Sequence, residues 1–283
     1  MADTLTPDKI EFNVPLGEHS VRVRRSGTTD APSVLFLHGT GPGATGWESF
    51  RPVIPHLADF DSLVPDLVGF GDSSHPDAPP AGAGPWIDLR AESIIQLLDT
   101  LDVGPVDLVG HSYGGRLGIE LLTRKPEAFR RVVLIASGGT PIKPTLNRLT
   151  SFYDNPTAEN MRNFVQSQLY PGRDIPAGLD SYLDARLATA LRPEVRRSFE
   201  AAMGPGEPAP VYDEAVLGSI HHDALVVHGQ GDQTIPVEAS LYLAQHLPHA
   251  DLHIFSRGGH LVQLEVTDRL GSLIGAFLRD TKL

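Results

Sequence analysis

The stretch VDLVGHSYGGRLGIEL, Val106 to Leu121, sets one serine among glycines between a mostly apolar run and a segment with helical spacing. The run fits a strand buried on both faces, and the residues after it repeat apolar side chains at the helical interval. Between them Gly110-His111-Ser112-Tyr113-Gly114 reads G-x-S-x-G, with a helix expected from about Gly115. A serine at such a strand-to-helix turn sits on strained backbone, so neighbours within two residues must lack bulky side chains, and glycine provides that room. The turn also aims backbone N–H groups where they can stabilise a negative oxygen. A glycine-rich turn with an incidental serine is the bland alternative; the strand before and the helix after argue for a nucleophile.

A serine hydroxyl is a poor nucleophile unless a base takes its proton, so the motif predicts an orienting acid and then a histidine downstream. VVHGQGDQTIP puts Asp232 just after one apolar run, and HIFSRGGH puts His260 just after another. Both fall at the carboxyl ends of expected parallel strands, the edge where such sheets bind ligands. Upstream, LHGTGPGATGW, Leu37 to Trp47, follows a further strand, and its Thr40 N–H is expected to join that of Tyr113 in an oxyanion hole, with Gly41 beside it. Gly39, Gly41 and Ala44 also fit G-x-G-x-x-[GA], with Asp66 at the distance of a ribose-binding acid. Against a dinucleotide site, Pro42 removes one N–H from the phosphate cradle, and Ser112, Asp232 and His260 would be left without a role. In that case Asp66, Gly69 and Gly71 form a structural turn.

Working outward, short β-rich runs (SVLFLHG, DSLVPDL, VDLVGHS, RRVVLIA, HDALVVHG, ADLHIFS) alternate with amphipathic segments. Alternation of this kind predicts an α/β fold, a mostly parallel sheet flanked by helices, with KIEFNVPL and HSVRVRRSG as an antiparallel pair at one edge. From about Pro141 to Pro210 there is no strand pattern, but ENMRNFVQSQL and SYLDARLATAL are helical. The expected organisation is a core over 1–140 and 211–283, interrupted by a helical lid over 141–210.

At 283 residues, 41% hydrophobic and 20% charged, the chain can bury a substantial core. A net charge of −12 without a basic cluster argues against nucleic acid or an anionic membrane as partner. The absence of cysteine excludes disulfides and thiolate sites. Adjacent His221 and His222 would point to opposite sides of an extended chain, no H-E-x-x-H occurs, and neither a metal nor a cofactor is expected. MADTLTPDKIEF lacks a basic start and an apolar stretch, so a cytoplasmic protein with a small-molecule substrate is expected. The oligomeric state, a homo-oligomer included, stays open.

Taken in order, HGTGPGATGW, GHSYGG, GQGDQTIP and GGHLVQLE resemble the α/β-hydrolases over nearly the whole chain. Within them, H-G-x-G-P-G-A-x-x-W is similar to the meta-cleavage product hydrolases, which cut a carbon–carbon bond in diketo acids formed by ring opening of catechols. Two positions depart from that pattern: His111 stands where asparagine is usual before the nucleophile, and Leu261 where tryptophan is usual after the histidine. Both border the expected substrate site. In the lid, Leu179, Tyr182, Leu183, Leu187 and Ala190 form an apolar stripe that also carries Arg186. Helix pattern alone favours an arginine that snorkels or pairs with an acid; the resemblance implies that Arg186 holds the substrate carboxylate. The expected activity is cleavage of a 2-hydroxy-6-oxo-dienoate-like substrate, with ester hydrolysis by the same residues as the alternative. A cofactor-free oxygenase and a ligand-binding receptor are more distant readings.

Overall fold

The computed structural model describes residues 9–176 and 178–280. Most of the N-terminal stretch from which a cytoplasmic location was read lies outside them. Among the described residues, eight strands form one sheet: β1 (Lys9–Leu16), β2 (His19–Gly27), β3 (Ser33–Leu37), β4 (Asp61–Pro65), β5 (Val106–His111), β6 (Phe129–Ile135), β7 (Asp223–Gly229) and β8 (Ala250–Phe255). Their order is β1-β2-β4-β3-β5-β6-β7-β8. The six from β4 to β8 in that order run parallel, while β2 is antiparallel to both neighbours.

Successive residues of a strand face opposite sides, and the inner strands are apolar at both. Leu35, Leu37, Leu63, Leu108, Val132 and Leu134 pack on one face with Trp86, Ile94 and Leu117 of the helices Ala83–Leu101 and Tyr113–Arg124. Val34, Phe36, Val64, Val109, Val133 and Ile135 pack on the other with Phe50, Ile274 and Phe277. Between β6 and β7 lie the helices Asn147–Thr150, Ala158–Gln166, Asp180–Ala190 and Pro193–Met203. Their apolar side chains, among them Leu149, Tyr153, Met161, Phe164 and Leu183, make a third cluster that takes in Leu261 and Leu264 from beyond β8.

The helix after the serine starts at Tyr113, two residues earlier than the glycines suggested, because the turn is completed at Ser112 itself. Ser112 has φ 55° and ψ −112°, a conformation rare for a residue with a side chain. Its N–H donates to Ile135 O, and its carbonyl accepts from the N–H groups of Gly115, Arg116 and Gly138, which together hold the strained turn. The flanking glycines are sterically required: a Cβ on Gly114 would stand 2.0 Å from Leu37 O, and one on Gly110 2.6 Å from Gly114 O.

Candidate active site

Three strand ends deliver the site: Ser112 follows β5, Asp232 follows β7 and His260 follows β8. His260 Nε2 is 3.0 Å from Ser112 Oγ, and His260 Nδ1 is 2.7 Å from Asp232 Oδ2. All three side chains are buried, that of Asp232 completely. The carboxylate is fixed further by Thr234 N–H at 2.7 Å and Ile235 N–H at 3.0 Å, both donating to Oδ1, and by His228 Nε2 at 3.3 Å from Oδ2. Burial works against charge on Asp232, but His260 and the hydrogen bonds from His228 and His260 outweigh it and hold the carboxyl well below the usual range. With Nδ1–H donated to Asp232, His260 Nε2 presents its lone pair to the serine hydroxyl.

Among the described residues, the N–H groups of Thr40 and Tyr113 donate to no acceptor. Both residues line the cavity that exposes Ser112. The loop bearing Thr40 is anchored by His38, whose Nδ1 donates to Gly39 O while Nε2 accepts from Leu67 N–H. His111 Nε2 donates to the carbonyl of His260 at 2.9 Å, so the residue before Ser112 clamps the backbone of His260.

Burial pushes both rings down, His38 to about 4 and His111 to about 3. An unfolded histidine binds its proton near pH 6.5, so below that pH the unfolded chain holds protons that the folded one refuses. Unfolding free energy is therefore expected to fall as pH drops from about 6.5 toward 4, by up to about 1.4 kcal/mol per pH unit for each ring. Urea titrations at intervals between pH 7 and pH 5 measure the slope. His111→Asn should flatten it, and an unchanged slope in that variant would assign the pH dependence to other groups.

Space around Ser112 is unequal. On one side lies a cavity of about 460 Å³, walled by Trp86, Leu146, Met203, Pro208 and Ile235, with Arg90 and Arg116 also on its surface. On the other, Gly39, Thr40, His111, Arg186, His260 and Leu261 surround a cleft of about 10 Å³, room for roughly one water. Arg186 does sit on the buried side of its helix, although it does not snorkel and, among the described residues, pairs with no acid. Its Nε donates to Pro42 O at 2.9 Å and its Nη1 to Tyr182 Oη at 2.5 Å, with the Phe164 ring 5.3 Å from the guanidinium carbon. Gly41, at φ 141°, leaves room for it, since a Cβ there would stand 2.8 Å from Arg186 Nη2. Leu261 is buried against the inserted helices.

Asp66 is occupied internally: Gly46 N–H donates to Oδ1, and Asp72 N–H and Arg24 Nη1 donate to Oδ2. It is thus a structural turn residue, and no ribose acid remains for a dinucleotide. Two supports of the site escaped the sequence reading. Gln168 O accepts from His260 N–H at 2.7 Å, and buried Glu265 accepts from Tyr170 N–H and Gly259 N–H, tying the histidine loop to the inserted helices. Glu265, six residues beyond Gly259 in GGHLVQLE, carried no signal beyond that proximity.

A family model described as alpha/beta hydrolase fold matches residues 32–266, and the chain belongs to that family. Within it, the chain is similar to the 2-hydroxymuconate semialdehyde hydrolase of Pseudomonas sp. (strain CF600), at 34% identity over 87% of each chain. It is 31% identical, over 93% of its own length and 92% of the relative's, to the 2-hydroxy-6-oxononadienedioate/2-hydroxy-6-oxononatrienedioate hydrolase of Burkholderia vietnamiensis. Among solved structures, the 2-hydroxy-6-oxo-6-phenylhexa-2,4-dienoate hydrolase of Rhodococcus sp. strain RHA1 matches with a TM-score of 0.90 and 36% identity, over 97% of this chain and all of that one. A carboxylesterase of Bacillus subtilis, 21% identical with a TM-score of 0.78, shares the fold. The resemblance read from the four motifs is therefore met. No helix among the described residues is long and apolar enough to cross a membrane.

Proposed function

We propose that this protein hydrolyses a carbon–carbon bond in a 2-hydroxy-6-oxo-dienoate, with Ser112, His260 and Asp232 as nucleophile, base and orienting acid. After the substrate ketonises, His260 Nε2 takes the Ser112 proton as Oγ adds to the C6 carbonyl carbon. The N–H groups of Thr40 and Tyr113 receive the oxyanion. Collapse breaks the C5–C6 bond; the electron pair passes through the C3–C4 double bond onto the C2 carbonyl oxygen, which takes the proton from His260, and the fragment leaves as a 2-hydroxy-2,4-dienoate. Water, deprotonated by the same ring, then releases the acyl group from Ser112 as a carboxylic acid.

The observation that carries this reading beyond ester hydrolysis is Arg186, a buried guanidinium beside His260 that has no carboxylate partner among the described residues. A planar fork of this kind suits the two oxygens of the dienoate acid. The cleft there must widen to admit it, which assigns the helix Asp180–Ala190 a lid's motion. Ester hydrolysis is the second reading, favoured by the larger and mostly apolar cavity on the opposite side of Ser112.

Arg186→Gln separates the two. Acidic dienoates should lose roughly 2–5 kcal/mol of transition-state binding, the usual consequence of truncating one partner of a buried charge pair. Neutral aryl esters should lose far less, and Arg186→Lys should recover only part, since an ammonium lacks the two-point grip. The measurement is kcat/KM on one dienoate and one neutral ester for the three proteins. Equal losses on both would make Arg186 a support of the lid and favour the esterase.

A further inference from the structure

The wall of the large cavity carries a charge that neither the carbon–carbon reaction nor the fold uses. Arg116 lies one helical turn beyond Tyr113, so the two side chains share a face of the helix that starts at the nucleophile. Its Nε is buried without a hydrogen-bond partner. No acid pairs with it among the described residues. Glu120, one turn further on, is engaged by Arg124 and by the Tyr212 hydroxyl, and Glu207, on the cavity rim, is exposed. Burial pushes the Arg116 pKa down, and the nearby phenols of Tyr212 and Tyr113 only partly oppose it. A half-buried guanidinium left so short of compensation is costly unless an anion meets it at some stage of function.

Tyr113 adds a second donor. Arg90, fully buried between the rings of Phe70 and Trp86, donates Nη1 to Tyr113 Oη at 2.8 Å and Nε to Val68 O at 2.9 Å. A guanidinium can only donate, so the phenol oxygen is the acceptor in that bond and its own hydrogen stays free for another. Tyr113 lines the same cavity as Arg116 and Ser112.

Resting on the carbon–carbon reading, we propose that the substituent on the ketone side of the substrate ends in a carboxylate, held in the large cavity by Arg116 and the Tyr113 hydroxyl. The substrate is then a dienoate with an acid at each end, and the acyl group passed to Ser112 leaves as an aliphatic dicarboxylic acid. The aliphatic walls of the cavity cover the methylenes between the reacting carbonyl and the terminal acid.

The test uses two dienoates that differ only at that end: one bears a terminal carboxylate on a short aliphatic substituent, the other a methyl group in its place. The wild type should prefer the acid-ended substrate in kcat/KM by tenfold or more. Arg116→Gln should lower kcat/KM roughly 30-fold or more on that substrate, chiefly through KM, and change it by less than about threefold on the methyl-ended one. Arg116→Lys should restore part of the preference. Retained turnover of the methyl-ended dienoate certifies that the variants are folded. Equal losses on both would overturn the inference, since the guanidinium would then hold the acid end that the two share. So would a wild-type preference for the methyl-ended substrate. If neither dienoate is cleaved while aryl esters are, the carbon–carbon reading fails and this inference with it.

Discussion

Replacing Ser112 with alanine is expected to lower kcat on a dienoate by about 10⁶-fold, the scale seen when a serine nucleophile is removed from an enzyme of this mechanistic type. The reason is local. In the proposed mechanism Oγ forms the covalent bond, and its neighbour in the structure is His260 Nε2 at 3.0 Å. The strained turn is held by the backbone of residue 112, through Ile135 O, Gly115 N–H and Gly138 N–H, and none of these bonds uses the hydroxyl. Alanine should therefore fold like the parent, with thermal unfolding within a few degrees of it. A folded Ser112→Ala protein that kept near-normal turnover would remove Ser112 from the mechanism.

Asp232→Asn should cost about 10⁴ in kcat, by analogy with other triads, through a tautomer rather than a lost charge alone. Thr234 N–H and Ile235 N–H both donate to Oδ1, so an asparagine keeps its carbonyl oxygen there and turns its amide nitrogen toward His260 Nδ1. That nitrogen donates where the carboxylate accepted. His260 must then carry its proton on Nε2, and no lone pair faces Ser112. The same amide would meet His228 Nε2, 3.3 Å from the native Oδ2 and itself the donor to Ile235 O. Stability should drop as well as rate, which calorimetry can separate from kcat. Full activity in this variant would mean that another carboxylate orients the imidazole.

Much of this could be read in the chain because the physics is local. β5, β6 and β7 are buried on both faces, so each announces itself as an apolar run, and Asp232 stands in the loop that follows β7; His260 follows β8, an edge strand that is only partly buried. Ser112 was legible for a related reason: Gly110 and Gly114 are required by approaches of 2.6 and 2.0 Å to backbone oxygens. The start of the following helix was misplaced because glycine signals a turn, whereas Gly114 and Gly115 are helical and are small in order to meet β3 and Ser137.

Long-range partners left no trace. Glu265 and Tyr170 are 95 positions apart, and the two acceptors of Arg186 are Tyr182, one turn away, and Pro42, 144 positions away. The stripe on the helix Asp180–Ala190 put Arg186 on the buried face, but only the folded chain reveals that a carbonyl and a phenol, not a carboxylate, meet it. Nothing in the sequence singled out Arg90. It is buried because Phe70, Trp86 and Tyr113 converge on it from three segments.

The most direct measurement is kcat/KM of the unaltered protein on a 2-hydroxy-6-oxo-dienoate, followed by bleaching of its visible absorbance, beside a neutral aryl ester. The dienoate should be favoured by more than about 100-fold, a discrimination within the range of one buried charge pair. Its products should be a 2-hydroxy-dienoate and a carboxylic acid in equal amounts. Faster turnover of the ester, with the dienoate left coloured, would contradict carbon–carbon hydrolysis and leave the same Ser112, His260 and Asp232 to an esterase.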